Sequence, residues 1–363
     1  MANKAVFMTG AGGFLGRYIL ERYLDEQECG LYLLENGRFC ERLRGFLEEH
    51  IPDPAKRARA QIVEGDITQP GLGLTPVLLK ELRANVTHAI HLAALYDLTA
   101  PRDVSVRVNV DGTRNVLDFL ETCPKLERFG HTSTLAVAGD YLGEFSEDDF
   151  DKGQSFKNYY EETKFLAEKL VRERRDKIPT VILRPAAVVG HSKTGAIDKI
   201  DGPYYLLTTI ARNLHIVLPD CGPARCHIAP VDFVTDGFYS LFDKEDDAVG
   251  RVFFLMDPNP LTYNDMFDLL CEHMGKFKAL VRIPPAWMKP VAQLKIFEWA
   301  TGIPWKAFMY GAQPIEYNIE KSTAALAKHG VVCPPLASYI DVMIRYFREH
   351  RHDPRVRRGN WRK

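Results

Sequence analysis

Five residues with a strand-like pattern, Ala5-Val-Phe-Met-Thr9, run directly into glycines at positions 10, 13 and 16, and then into the amphipathic stretch Arg17-Tyr-Ile-Leu-Glu-Arg-Tyr-Leu24. A chain built this way has few folding options. The strand must turn sharply at Gly10, something must approach the backbone at Gly13, and the following helix must pack closely on the strand at Gly16. Such a helix presents its free N–H groups to phosphates. Glycines also mark ordinary strand-turn-helix joints. Here the next apolar segment, Gly30-Leu-Tyr-Leu-Leu34, closes on an acidic residue, Glu35, and that addition favours a dinucleotide site over a plain joint.

Further strand-like segments recur at 60–63, 88–93, 128–133, 180–185 and 252–256, with helical patterns between most of them. Short buried strands alternating with helices predict a Rossmann-type, doubly wound parallel α/β sheet. After Gly190 the pattern changes to a helical stretch, a Pro/Gly/Cys-rich loop at 219–230 and proline-broken helices beyond Asp257. The expected organisation is a dinucleotide-binding domain at 1–190 with 228–257 returning to it, and a smaller, mostly helical substrate lobe at 191–227 and 258–347. Residues 348–363 carry seven Arg or Lys against two acids and read as a solvated basic tail.

Charged residues at 26% and apolar residues at 46% are ordinary for a globular chain of 363 residues, and a formal net charge of −1 gives no general pull toward nucleic acid. Seven cysteines at unpaired spacings, with a nucleotide-site pattern starting within ten residues of Met1, predict reduced thiols in a cytoplasmic protein. Cys226-His227 lacks a second ligand pair at zinc spacing, so no metal is expected.

Tyr160 and Lys164 stand four apart, hence on one face of a helix. A phenol has a pKa of about 10, and a cation within about 4–6 Å lowers it toward the range of a useful acid or base. About 25 residues upstream, Thr132-Ser-Thr134 ends a strand, where parallel sheets bind ligands, so that a hydroxyl there could hold a carbonyl oxygen for Tyr160. The bland alternative is that these hydroxyls satisfy strand-end backbone groups.

Thr9-Gly-Ala-Gly-Gly-Phe-Leu-Gly16, Gly65-Asp-Ile67, His91-Leu-Ala-Ala94, Asn109-Val-Asp-Gly-Thr113, Thr132-Ser-Thr134, the Tyr160 to Lys164 segment and Arg184-Pro185 follow one another as they do in the extended short-chain dehydrogenase/reductase superfamily, which this chain resembles. The wording His131-Thr-Ser-Thr134 and Asn158-Tyr-Tyr-Glu-Glu-Thr-Lys164 is most similar to its fatty acyl-CoA reductase, male-sterility and thioester-reductase branch. The resemblance spans about residues 4–260 and fades in the C-terminal lobe. It implies that Thr134 binds the carbonyl, that Tyr160 is the acid and that Lys164 lowers its pKa while touching the nicotinamide ribose. It further implies that Asn109 joins a proton relay. Gly10, Gly13, Phe14, Leu15 and Gly16 would line the pyrophosphate, Asp66 and Ile67 the adenine, Ala93 the middle of the cofactor, and Pro185 with Val188 the nicotinamide.

The cofactor expected is NAD(P)(H). Thioester-reducing relatives commonly carry a basic residue just after the second strand, whereas here Glu35 is followed by Asn36; the carboxylate would accept ribose hydroxyls and repel a 2′-phosphate, although Arg38 or Arg42 could reverse that preference. Both cofactors stay open. Candidate substrate residues are Leu95 and Tyr96, the segment Gly190 to Ser192, Tyr204, Tyr205 and the aromatic-rich stretch 284–310, which reads as lobe core, acyl pocket or membrane-facing lid. The expected activity is hydride transfer between nicotinamide and a carbonyl or alcohol on a hydrophobic small molecule or carrier-linked acyl substrate. A nucleotide-sugar epimerase or dehydratase, a hydroxysteroid-type dehydrogenase and a non-catalytic cofactor-binding regulator are the competing readings. A homodimer, by analogy with the superfamily, and peripheral membrane contact are both open, and no nucleic-acid partner is expected.

Overall fold

The computed structural model describes residues 4–26, 28–97, 100–292 and 314–357. Seven strands, β1 (Ala5–Thr9), β2 (Gly30–Glu35), β3 (Ala60–Glu64), β4 (His88–His91), β5 (Arg128–Thr132), β6 (Thr180–Pro185) and β7 (Val252–Leu255), form one sheet in the order β7-β6-β5-β4-β1-β2-β3, with every pair parallel. The order reverses between β1 and β4, which opens a crevice at their carboxyl ends. All six residues of β6 are buried, as expected of a strand covered on both faces.

Helices α1 (Phe14–Glu26), α2 (Gly37–His50), α3 (Gly112–Leu120), α4 (Tyr159–Glu173) and α5 (Tyr204–Ala211) follow in chain order, then α6 (Val231–Tyr239), α7 (Tyr263–Met274), α8 (Glu320–Lys328) and α9 (Ile340–His350). One apolar cluster joins β1, β2 and β6 to α1 and α6, and a second joins β4 and β5 to α3. A third core, separate from these, is built by α5, α7 and α9. It carries a two-stranded parallel ribbon of Val217–Pro219 with Val281–Ile283. The strand Ile228–Pro230 pairs with Ala187–Val189 in a separate two-stranded ribbon and leads into α6 and then β7, an edge strand of the main sheet.

Two boundaries differ from the sequence expectation. Strand Ile315–Asn318 pairs with Gly143–Ser146, and α8 buries Ala325 and Leu326 in the first core while the Ser322 hydroxyl accepts from the Phe254 N–H at 2.8 Å. This part of 258–347 therefore belongs with the sheet, because its apolar residues find their partners there. The basic tail is not wholly solvated either: Val356 is buried in the third core, and its carbonyl accepts from the Ile200 N–H at 3.0 Å.

Candidate functional site

The first turn after β1 and the end of β4 make the floor of a cleft of about 1310 Å3. Gly10 has φ +76°, and a Cβ there would lie 2.6 Å from the Ala93 nitrogen; a Cβ on Gly16 would lie 2.1 Å from the Gly10 carbonyl oxygen. Only glycine lets the loop sit this close to β4 and lets α1 start this close to the loop. The Thr9 hydroxyl completes the joint, accepting from the Ala93 N–H at 3.3 Å and sharing a hydrogen bond with His91 Nδ1 at 2.7 Å. His91 also meets Thr113 at 3.1 Å, and burial holds its pKa down to about 3. The histidine is a neutral strut between β1, β4 and α3.

Gly10, Gly13, Phe14, Leu15, Gly16, Glu35, Asp66, Ile67, Ala93, Pro185 and Val188 all line this cleft. A glycine cradle at the switch point of a parallel sheet fits a dinucleotide pyrophosphate. Glu35 is buried and accepts the Gly12 N–H at 2.7 Å; burial raises its pKa, which that hydrogen bond and Arg42 pull back. Asp66 is tied down on both sides, accepting from the Thr68 N–H and hydroxyl at 2.8 Å and from the Asn36 amide at 3.1 Å.

Further along the same cleft stand Thr134, Tyr160 and Lys164. Asn158 starts α4 as a cap, accepting the Glu161 N–H at 3.0 Å, while Glu161 reaches back to the Lys157 N–H at 3.0 Å. This reciprocal box fixes the first turn, and with it Tyr160. Thr134 opens a short 3-10 turn after β5, where its hydroxyl accepts the Ala136 N–H at 3.2 Å and faces the same cleft as Tyr160. Tyr96 packs edge-on against Tyr160, with ring centroids 4.9 Å apart.

The electrostatics depart from the sequence expectation. Burial pushes the Tyr160 phenol up to about 12, against a smaller lowering by the Thr134 hydroxyl. Lys164, one turn further along α4, donates its Nζ to the Thr132 carbonyl at 2.6 Å, and burial brings its pKa down to about 8. The two stand four apart on α4, yet the phenol is raised rather than lowered, because loss of water dominates and the Glu161 carboxylate adds to the rise.

Three expected site residues do other work. Asn109 is buried, accepting the Leu95 N–H at 2.7 Å and donating to the Leu95 carbonyl at 3.3 Å and to the Thr163 hydroxyl at 3.0 Å. Its amide pins the loop after β4 to α4 instead of facing the cleft. Ser192 is held by Asp232, through its N–H at 2.8 Å and its hydroxyl at 2.5 Å, and does not line the cleft. Tyr204 is buried in the third core with its hydroxyl accepting the Gly190 N–H at 3.0 Å; its neighbour Tyr205 lines the cleft instead. Of the aromatic-rich stretch, Met288 lines the cleft, Trp287 is exposed, and 293–313 lies outside the described residues.

A buried network beneath the site was not read from the sequence. Glu168 accepts from the Ser133 hydroxyl at 2.6 Å and from Arg184 Nη2 and Nε at 2.6 and 3.1 Å. Burial would raise the Glu168 pKa, but Arg184 and Arg172 override it and hold the carboxyl down to about 2. Its place one turn beyond Lys164 on the same helix face was the available signal.

This sheet, its glycine cradle and the Thr/Tyr/Lys grouping define an extended short-chain dehydrogenase/reductase with a site for a nicotinamide dinucleotide. A family model described as male sterility protein matches residues 8–238, and the chain belongs to that family, in its fatty acyl-CoA reductase and thioester-reductase branch. The linear gramicidin synthase of Brevibacillus parabrevis is 30% identical over 276 residues, covering 72% of this chain and 5% of its own length. Fatty acyl-CoA reductase wat of Drosophila melanogaster is 27% identical over 269 residues, covering 63% of this chain and 52% of its own. The chain thus spans about half or less of these curated relatives. The terminal R domain of the myxalamid PKS-NRPS pathway superposes with a TM-score of 0.82 at 26% identity, over 97% of this chain and 92% of that one.

Proposed function

We propose that this protein reduces the carbonyl of a hydrophobic acyl thioester or long-chain aldehyde with a reduced nicotinamide cofactor. The observation that carries the reading is the gathering of Thr134, Tyr160 and Lys164 in one cleft that runs from the glycine cradle to the apolar wall Leu206, Leu214, Val217, Leu218, Phe267 and Met288. Two arginines in the outer cleft, Arg225 and Arg282, are engaged by the Pro260 carbonyl and by Asp268, which fits a diphosphate-binding epimerase pocket less well.

When bound, the reduced dinucleotide supplies hydride. Thr134 and Tyr160 hold the substrate oxygen between them, and Tyr160, still protonated at neutral pH, delivers the proton that oxygen needs as its negative charge develops. Lys164 keeps a positive charge in the same cleft, fixed at the end of β5. Asn109 positions the loop bearing Tyr96 and so shapes the wall around Tyr160.

Glu35 supports NADH as the preferred cofactor. A carboxylate lining the cleft accepts ribose hydroxyls and repels a phosphate, while Arg42 lies 3.6 Å from Asp198 and Arg38 lies over the Phe39 ring. The test is consumption of NADH and of NADPH against acyl-CoA esters and aldehydes of graded chain length, with trapping of aldehyde and alcohol products. Turnover that rises with chain length supports the reading. Turnover of a nucleotide sugar, with none on the acyl panel, contradicts it.

A further inference from the structure

The third core exposes an unusual number of large apolar residues along one ribbon and the segments leading into it. Leu280 and Trp287 are each 72% exposed, and Ile216, Val217, Phe277 and Val281 are all exposed as well. The backbone holds four of them together: Val217 and Val281 are register partners, and the Leu280 and Val281 N–H groups both donate to the Ile216 carbonyl, at 3.1 and 3.2 Å. Phe277 stacks on His215, with ring centroids 4.5 Å apart. Single exposed apolar residues are ordinary, but a contiguous set of this size marks a binding surface.

Charge and position indicate what covers it. Residues 276–288 contain Lys276, Lys278 and Arg282 and no acidic residue, in a chain whose net charge is −1. Arg282 is paired with Asp268 at the cleft wall, while Lys278 is exposed beside Phe277 and Lys276 lies 2.9 Å from Asn213 on the facing segment. Val217 belongs to both the surface and the cleft lining, and Met288, one residue after exposed Trp287, also lines the cleft. The apolar surface is therefore continuous with the mouth of the reaction cleft. Among the described residues no helix is long and apolar enough to cross a membrane, so contact of this kind would lie in the bilayer interface.

We infer that this ribbon face docks on an anionic lipid bilayer, inserting Leu280, Ile216, Phe277 and Trp287 among the acyl chains with the lysines at headgroup level. Apolar burial and attraction to anionic lipid act together in such contacts. The docked orientation brings the cleft mouth to the surface where long-chain acyl substrates partition. The inference extends the proposed reaction to its source of substrate, and the two fail separately, because vesicle binding is read without turnover.

The experiment is co-sedimentation of the full chain with vesicles of phosphatidylcholine alone or with added phosphatidylglycerol, together with light scattering to read the oligomeric state. The protein pellets with anionic vesicles, less so at high salt, and Leu280→Glu lowers that partition by about tenfold or more. Lys278→Glu, on an exposed turn where folding is not at stake, lowers it by a smaller factor. Neither substitution changes turnover of a soluble short-chain aldehyde, and Tyr160→Phe leaves sedimentation unchanged. Three results would overturn the inference: no pelleting with anionic vesicles, a dimer that Leu280→Glu dissociates, or vesicle binding equal in all variants.

Discussion

The Lys164 ammonium donates to the main-chain carbonyl of Thr132 at 2.6 Å, so the cation of the candidate site is anchored two residues before Thr134, on the strand that presents the hydroxyl. The cation and both oxygen-binding groups are thereby fixed to one another through β5 and α4. Burial has lowered the Lys164 pKa to about 8, with Glu168 opposing that shift. His131 and His91 add positive character to the same space only when protonated, and burial keeps both neutral.

A pH dependence follows with a definite sign. The ammonium is present below about pH 8 and lost above it, whereas Tyr160, at about 12, stays protonated throughout. The value of kcat/KM for carbonyl reduction should hold steady through neutral pH and decline as pH rises through about 8. Lys164→Met should remove that limb and cost about 10²–10⁴-fold in kcat. A wild-type profile that stays flat well beyond Lys164's titration contradicts the role assigned to the cation.

The Glu168–Arg184 pair makes a stability prediction. Both side chains are fully buried, so removing Arg184 takes the main counter-charge from Glu168 and leaves it Arg172 and the Ser133 hydroxyl. Arg184→Ala should cost roughly 3–5 kcal/mol in denaturant unfolding. Because the Glu168 carboxyl is held down to about 2, its contribution is complete above its unfolded pKa of about 4.3 and is lost as pH falls from there through about 2. Acid titration of the wild type, followed by circular dichroism, should place part of the loss of stability in that window, and Glu168→Gln should flatten it.

Asn109 serves as a positioning residue. Asn109→Ala leaves the Leu95 N–H without its acceptor and should cost about 1–3 kcal/mol in stability. Since Leu95 leads into Tyr96, which packs on Tyr160, KM for long-chain substrates should rise more than cofactor affinity falls. Paired measurement of Tm and of KM against cofactor Kd checks both parts.

Glu35 sets the cofactor prediction. The wild type should favour NADH over NADPH by about tenfold or more in kcat/KM, and Glu35→Ser should narrow that ratio. Some stability should also be lost, because the Gly12 N–H gives up its partner. A wild type that prefers NADPH would reverse the assignment.

The doubly wound sheet was legible because each strand is short, apolar and followed by a helical period, and the glycine spacing located the switch point before any contact was known. Tyr160 and Lys164 were legible for the same local reason, a spacing of four within one helix. What escaped the sequence is long-range. The carbonyl that holds Lys164 belongs to a strand 32 residues earlier, and Asn109's amide is spent between a loop and another helix. Ser192 and Tyr204 sit near cleft-lining segments in sequence but turn to Asp232 and to the Gly190 N–H. The direction of Tyr160's pKa was misread because a pair spacing reports the neighbouring charge and not the loss of water around the phenol.

The most direct test of the central claim, that the Tyr160 phenol supplies the proton to the reduced oxygen, is single-turnover reduction by Tyr160→Phe alongside cofactor titration by fluorescence. The account predicts cofactor affinity close to wild type and a reduction rate lower by about 10²–10⁴-fold. Reduction at the wild-type rate by Tyr160→Phe, with cofactor bound, would contradict it.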